Sequence, residues 1–178
     1  MVIEVTTVPL VVITGPVGAG KSTVLDAISD LLVDKGIPHA AIDMDHLRVG
    51  RPPPPDDRFG EQAGHRNLAA LWPLLVADGA RWVLLADVVE NKADYLAAIA
   101  EGLPDAAVTI VRLDVPLRLI RRRIRAREPS HRVNWHLARA PELQSIMQLG
   151  RVEDVLIEVA DRDQFQVAVE VVQRLGIE

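Results

Sequence analysis

Residues 8–23, VPLVVITGPVGAGKST, decide the fold of this chain. The apolar run at 8–14 predicts a buried strand. The stretch GPVGAGKS at 15–22 then fits the pattern GxxxxGKS, in which glycines let successive backbone N–H groups surround phosphate oxygens. A helix is predicted to begin at the loop and to direct its positive N-terminal end at the anion. Its apolar side chains recur at helical spacing, at Val24, Leu25, Ile28, Leu31 and Leu32.

The loop therefore predicts a phosphate-binding site. Lys21 places a point charge on the terminal phosphates, and Ser22 is positioned to hold Mg²⁺. The alternative interpretation is a tight glycine turn without a ligand. The residues predicted to bind the nucleotide here are Gly15, Pro16, Val17, Gly18, Ala19, Gly20, Lys21, Ser22 and Thr23.

Composition limits the possible classes of protein. A chain of 178 residues with 49% apolar residues suffices for one domain, so we expect 1–178 to form a single domain. The absence of cysteine excludes disulfides, thiolate catalysis and cysteine-bound metal, and it is compatible with a reducing cytoplasm. No apolar run approaches a membrane span, and the N-terminus lacks the basic region of a signal peptide. We expect a cytoplasmic monomer or homodimer without a membrane partner.

Charge gives a further expectation. The formal net charge of −5 argues against non-specific nucleic-acid binding over the whole surface, so we expect no nucleic-acid partner.

Strand-like and helical segments alternate along the chain. Strands are predicted at 8–14, 39–43, 81–88, 106–114 and 154–160, and the helices after the first are predicted at 61–78, 92–101, 117–127, 136–149 and 163–175. This alternation predicts an α/β protein with a five-stranded parallel sheet and helices on both faces, which makes three layers. Ligands of such sheets bind at the carboxyl ends of the strands.

Two carboxylates, Asp43 and Asp45, follow the second predicted strand. Side chains two residues apart in an extended segment project to the same side. One carboxylate could hold Mg²⁺ through water while the other accepts a proton from a substrate hydroxyl. The alternative interpretation is an Asp cap for the following turn.

A proline-rich segment, RPPPPDD at 51–57, comes shortly afterwards. Consecutive prolines favour an extended polyproline conformation and exclude a helix or a central strand. The segment is interpreted either as a stiff surface connection or as a rigid wall of an acceptor site.

The GxxxxGKS loop followed by Asp-x-Asp resembles the small-molecule branch of the P-loop kinases, such as shikimate, gluconate and adenylylsulfate kinases. The resemblance implies the nucleoside monophosphate kinase fold, ATP and Mg²⁺ as cofactors, and phosphoryl transfer to a small hydroxyl-bearing acceptor. It also implies a magnesium-side role for Asp43, an acceptor-side catalytic role for Asp45, and substrate binding by Arg48.

The acceptor does not follow from the resemblance. The glycine-rich end of the third strand in shikimate kinases is missing, and DVVE at 87–90 stands in its place. Sugar acids, adenylylsulfate, nucleosides and an antibiotic hydroxyl all stay open. If Asp45 is not the catalytic base, Asp87 and Glu90 are the next candidates for that role.

A second match is DVPLRLIRRRIRAREP at 114–129, which resembles the segment leading into the lid of adenylate and shikimate kinases. The resemblance implies that Arg123 stacks on adenine and that Arg127 reaches phosphate. Residues four apart lie on one helix face, so one helix can present both to a nucleotide. The alternative is a solvated basic face, which is the interpretation for Arg118, Arg121, Arg122 and Arg125.

Two further segments complete the predicted site. Residues 128–136 lack periodicity and are interpreted as a short mobile lid, in which Arg132 could close on the transferring phosphate. Trp135 is interpreted as a packing residue. The segment VADRD at 159–163 resembles the adenine-holding loop of the same kinases and implies a nucleotide contact for Arg162.

A GTPase is the main alternative. NKAD at 91–94 spells the guanine-reading motif NKxD, and DRFG at 57–60 spells DxxG. However, DxxG in GTPases ends a buried strand, and here it follows prolines. Asn91 is also well placed to cap the helix after it. A protein that binds ATP without kinase activity is the other alternative.

Overall fold

The computed structural model describes residues 7–50 and 52–178. The strands, in chain order, are β1 (Val8–Thr14), β2 (His39–Asp43), β3 (Trp82–Ala86), β4 (Ala106–Asp114) and β5 (Val155–Glu158). The helices are α1 (Lys21–Asp34), α2 (Glu61–Ala77), α3 (Lys92–Gly102), α4 (Leu117–Arg127), α5 (Ser130–Gly150) and α6 (Gln164–Arg174). A short 3₁₀ helix, Met44–His46, follows β2. The predicted strands at 81–88 and 154–160 are thus shorter than expected.

The five strands form one parallel sheet in the order β2-β3-β1-β4-β5. Side chains of the central strand β1 alternate between the two faces, as strand geometry requires. Val11 and Ile13 pack mainly with α1, α4 and α6, whereas Leu10 and Val12 pack mainly with α2, α3 and α5. Helices therefore cover both faces, and the predicted three-layer α/β fold is confirmed.

The parallel arrangement brings the strand ends to one edge of the sheet. The loop after β1, Asp43 at the end of β2, and Asp87 just after β3 all lie at this edge. Two hydrogen bonds tie the ends of β1 and β3 together: Asp87 N donates to Ile13 O at 3.1 Å, and Val89 N donates to the buried side-chain oxygen Thr14 Oγ1 at 3.0 Å. This edge holds the candidate site.

The segment 128–136 differs from the prediction of an aperiodic lid. Helix α5 begins at Ser130, directly after Pro129, and not at 136. Proline is tolerated next to the first turn because the N–H groups there have no partner within the helix. The first turns of α5 are mostly exposed, as at His131, Arg132 and Asn134, so they carry no apolar periodicity. The mobility of the segment stays a prediction.

The proline-rich segment has no helix or strand over its described residues, 52–57; Arg51 lies outside the described part of the chain. The segment leads to Asp57, which is buried and accepts hydrogen bonds from the backbone N–H groups of Gln62 at 3.2 Å and Ala63 at 2.9 Å. Asp57 therefore caps the first turn of α2.

In the described ranges, 7–50 and 52–178, no helix combines the length and apolar character that crossing a bilayer requires.

Replacing Asp57 by Ala is expected to lower the free energy of unfolding by about 1 kcal/mol at neutral pH. Burial raises the pKa of Asp57, but the N–H groups of Ala63, Gln62 and Glu61 outweigh it and hold the pKa below its ordinary value of 3.8. Because the folded pKa is the lower one, this stabilisation is present above pH 3.8 and is lost as the pH falls through the folded pKa.

Denaturant unfolding of the wild type, Asp57→Ala and the exposed control Asp56→Ala, from pH 7 downwards, measures this effect. The difference between wild type and Asp57→Ala should shrink in acid, while Asp56→Ala should follow the wild type throughout. A difference for Asp57→Ala that is constant with pH would contradict a charged cap.

Candidate functional site

The loop between β1 and α1 is shaped by its glycines. Gly18 and Gly20 have φ angles of 81° and 94°, in the left-handed region that glycine tolerates. At Gly18, a Cβ would lie 3.0 Å from Ile124 Cγ1 of α4, so packing also favours glycine. The loop's own hydrogen bond runs from Ala19 N to Pro16 O at 3.0 Å.

The ammonium group of Lys21 lies over this loop. Its Nζ donates to Gly15 O at 3.1 Å and to Pro16 O at 3.4 Å. Burial lowers the pKa of Lys21, against the carboxylates of Asp87, Asp45 and Asp43, which raise it. A phosphate anion in the loop would favour the charged form, because an opposite charge within a few ångströms raises the pKa of an amine.

Ser22 and Asp43 meet at the start of α1. Ser22 Oγ donates to Asp43 Oδ2 at 2.5 Å, and the other oxygen, Asp43 Oδ1, accepts from Asp45 N at 3.0 Å. Asp43 thus caps the 3₁₀ helix and contacts the loop at once, so the two interpretations of this residue are compatible. A hydroxyl and a carboxylate side by side are the hard oxygen ligands that Mg²⁺ prefers.

Protein ligands alone would not complete a magnesium site. Over the residues that the structure describes, no group of three or more His, Cys, Asp or Glu side chains could hold a metal ion. Mg²⁺ usually binds through one or two protein groups together with phosphates and water, so the pair Ser22 and Asp43 fits this ion.

Arg48 joins an exposed and a buried carboxylate. Its Nη1 donates to Asp45 Oδ1 at 3.1 Å, and its Nη2 donates to Asp87 Oδ1. The side chain of Asp45 is 79% exposed, whereas that of Asp87 is 2% exposed. Burial raises the pKa of Asp87, and the Arg48 guanidinium opposes this. The buried Asp87 therefore holds Arg48 in place, and Arg48 in turn orients the exposed Asp45.

These side chains line a first cavity of about 240 Å³ beside the loop. Lys21 and Ser22 from the end of the loop, and Asp43, Asp45 and Arg48 from the end of β2 and the turn after it, line this cavity. Its lining also includes side chains from the β3 end, the start of α2 and helix α5, namely Asp87, Glu90, Phe59, Glu61, Trp135 and Arg139.

A second cavity of about 390 Å³ lies on the other side of the loop. Arg123 and Arg162 both line it, and Arg127 borders both cavities. Arg123 Nη1 donates to Ala19 O at 2.8 Å, so this residue supports the loop, and Arg162 forms an ion pair with Glu170. The segments predicted to hold the adenine are therefore brought together. Arg132 is exposed and lines neither cavity.

The remaining arginines of α4 lie where a solvated face was expected. Arg121, Arg122 and Arg125 are exposed, and Arg118 lies 3.6 Å from Asp161 in an exposed ion pair.

Several side chains of the first cavity were not predicted as site residues, and Phe59, Trp135 and Arg139 are among them. Phe59 and Arg139 were not identified, and Trp135 was interpreted as a packing residue. Trp135 and Arg139 are four residues apart on α5 and so share one helix face. A helix prediction that began at Ser130 would have paired them. Phe59 follows the proline-rich segment, and no sequence signal singles it out.

The GTPase-like motifs have structural roles. Asn91 caps α3, where its Oδ1 accepts from Ala93 N at 2.9 Å and Asp94 N at 3.2 Å. Lys92 forms an ion pair with Asp154 at 2.5 Å. Residues 91–94 line neither cavity beside the loop. The other motif, at 57–60, holds the Asp57 cap of α2 and ends at Gly60, the residue before that helix.

Comparison with known proteins identifies the loop and the fold. The model of the P-loop containing region of AAA domains matches residues 2–41. No curated protein sequence matches the chain.

Several solved structures are similar over nearly the whole chain. The tunicamycin resistance protein of Deinococcus radiodurans has a TM-score of 0.67 at 17% identity, covering 96% of this chain and 97% of that one. The APS kinase of Mycobacterium tuberculosis, in complex with AMPPNP and APS, has a TM-score of 0.66 at 26% identity, covering 96% and 98%. Shikimate kinase from Acinetobacter baumannii, in complex with shikimate, has a TM-score of 0.60 at 21% identity, covering 96% and 94%.

The matched loop and the shared architecture agree with the geometry of the site. The resemblance inferred from the sequence motifs is thereby confirmed, and the chain is a P-loop protein with the fold of the small-molecule kinases.

Proposed function

We propose that the protein is an ATP- and Mg²⁺-dependent phosphotransferase that moves the γ-phosphate of ATP to a hydroxyl group of a small molecule. The observation that carries this proposal is the 2.5 Å contact between Ser22 and Asp43. It places the end of β2, and with it Asp45, in the same cavity as Lys21 of the loop.

Different residues of the chain would have different roles in such a transfer. The loop N–H groups and Lys21 bind the phosphates and stabilise the charge that spreads over the transferring group. Ser22 and Asp43 would hold Mg²⁺, which neutralises phosphate oxygens when it is bound. The acceptor oxygen forms a bond to the γ-phosphorus while the bond from that phosphorus to the β–γ bridging oxygen breaks. The hydroxyl proton passes to the Asp45 carboxylate, which Arg48 keeps in place.

The nucleoside would occupy the second cavity. Arg123 and Arg162 supply guanidinium groups there, and Arg127 lies between the nucleoside side and the acceptor side. This division leaves the first cavity, with Asp45, for the acceptor.

Acceptor-stimulated release of ADP tests this function. The purified protein is incubated with ATP, Mg²⁺ and single compounds from a panel of sugar acids, nucleosides and hydroxyl-bearing antibiotics. We expect at least one compound to raise the rate of ADP release and to gain a phosphoryl group, detected by mass spectrometry. ATP binding without stimulation by any hydroxyl compound would support the alternative of a binding protein.

The protein is expected to bind ATP more tightly than GTP. The second cavity offers Arg123 and Arg162, whereas Asp94, the carboxylate that would read guanine, lies in neither cavity and belongs to the capped turn of α3. Calorimetric titration of wild type and Asp94→Ala with both nucleotides measures this, and Asp94→Ala should change neither affinity. A preference for GTP that disappears in Asp94→Ala would establish the GTPase instead.

A further inference from the structure

Two aromatic rings stand side by side in the first cavity. Phe59, from the segment before α2, and Trp135, from the first turns of α5, have ring centroids 6.4 Å apart at an interplanar angle of 40°. Each residue is 48% exposed, in a chain with only 3% aromatic residues. Two half-exposed aromatic rings that line one cavity present an apolar wall to a ligand, and the Arg58 guanidinium lies over the Phe59 ring, 5.5 Å from its centroid.

The arginines of this cavity are already paired. Arg48 donates to Asp45 and Asp87, and Arg139 donates to Glu90 and lies 2.8 Å from Glu142. Arg127 Nη2 lies 2.8 Å from Glu128 Oε1. Each of these arginines already faces a carboxylate that offsets its charge, so an acid group on the acceptor would be attracted less strongly than by an unpaired guanidinium.

The carboxylates of the cavity add a repulsive contribution. Asp45 and Glu61 are exposed, and both line the same cavity as the aromatic wall. Carboxylates that face a ligand oppose a second negative charge and accept hydrogen bonds from hydroxyl groups. Discrimination between ligands commonly uses such a repulsive element together with an attractive one.

We propose that the acceptor is a hydroxyl compound without negative charge, whose flat ring lies against Phe59 and Trp135 while its hydroxyl group reaches Asp45. This inference rests on the proposed function, because it assigns a substrate class to the same cavity. Among the acceptors that the sequence leaves open, it favours nucleosides and ring-bearing antibiotics over sugar acids and adenylylsulfate.

Four glucose derivatives separate the two determinants, ring and charge. Phenyl β-D-glucoside has a ring and no charge, phenyl β-D-glucuronide has both, methyl β-D-glucoside has neither, and methyl β-D-glucuronide has the charge alone. Binding of each is measured by calorimetry in the presence of a non-hydrolysable ATP analogue and Mg²⁺. Phenyl β-D-glucoside should bind about tenfold more tightly than each of the other three.

Variants then locate the ring. Phe59→Ala and Trp135→Ala should each weaken binding of phenyl β-D-glucoside about tenfold and leave the affinity for the ATP analogue unchanged. The matched control is Phe165→Ala on α6, an aromatic residue that is 53% exposed and lines neither cavity. It should leave both affinities as in the wild type.

Trp135 also supplies its own signal. Binding of phenyl β-D-glucoside should change the tryptophan fluorescence of the wild type, since Trp72 is buried and Trp82 lies in β3, whereas Trp135 lines the cavity. Trp135→Phe keeps a ring at this position, so it should retain binding by calorimetry and lose the fluorescence change.

The outcomes separate this inference from the proposed function, because the readout is binding and not turnover. Equal or tighter binding of the glucuronides, or no binding by any of the four compounds, overturns the substrate class. Efficient phosphorylation of a sugar acid would do the same while upholding the kinase. Binding that requires the phenyl ring and is weakened by the negative charge supports the inference, even if no phosphoryl transfer follows.

Discussion

Lys21→Ala is expected to reduce nucleotide-dependent turnover by about 10²–10³-fold or more while the protein stays folded. The ammonium group lies over the loop, against Gly15 O and Pro16 O, where its charge serves a bound anion. Burial lowers the pKa of Lys21, so the charged group does not stabilise the empty fold. Turnover and ATP affinity, by ADP release and calorimetry, should both fall, while the thermal unfolding midpoint should be unchanged or higher.

Lys35→Ala is the matched control for this variant. Lys35 is exposed at the C-terminal end of α1, opposite the end that carries the loop. Its replacement should affect neither turnover nor ATP affinity. Wild-type ATP affinity and turnover in Lys21→Ala would remove the basis of the phosphotransferase proposal.

Asp45→Asn and Asp43→Asn are expected to impair different steps: phosphoryl transfer in the first variant and Mg²⁺ binding in the second. Loss of the carboxylate that takes the acceptor proton should lower phosphoryl transfer by about 10²–10⁴-fold, while ATP still binds because the loop is untouched. Asp43 contacts Ser22 Oγ at 2.5 Å, so Asp43→Asn should instead raise the Mg²⁺ concentration needed for half-maximal activity. Steady-state kinetics of both variants over a range of Mg²⁺ concentrations measures the separation.

Each variant serves as the control for the other. Excess Mg²⁺ should restore much of the activity of Asp43→Asn and almost none of that of Asp45→Asn. If Asp45→Asn transfers phosphate at the wild-type rate, the base is another residue, and Asp87 and Glu90 at the end of β3 are then the next to be tested.

Local sequence signals predicted the strand, loop and helix at the start of this fold well. The strand, glycine loop and helix at 8–32 are contiguous. The apolar run of the strand and the helical spacing of apolar residues after the loop indicate which side chains face the core. The place of Arg123 and Arg127 near the nucleotide followed from the resemblance to kinase lid segments, and their spacing of one helical turn put them on one helix face. Each of these features depends on residues close together in the chain.

The acceptor side depends on contacts between distant residues. Phe59 and Trp135 lie far apart in the sequence, and the pairing of Arg48 with Asp87 depends on β2 and β3 being neighbours in the sheet. Exposed turns such as the start of α5 carry no apolar pattern, so the helix there was interpreted as an irregular lid. Hydrophobic periodicity identifies the side chains that face the core. It does not identify side chains that face a cavity.

The ion pair between Arg48 and Asp87 limits how the acceptor preference of this protein can change during evolution. Replacing Arg48 alone leaves the buried Asp87 without its ion-pair partner, which costs about 3–5 kcal/mol. That is a large part of the about 5–15 kcal/mol that keeps a domain folded. Stepwise adaptation to a new acceptor is therefore easier through Phe59 and Trp135, which are half-exposed and can vary singly, than through Arg48. The preference for uncharged acceptors that we propose should therefore persist in descendants whose residues at positions 59 and 135 have already changed.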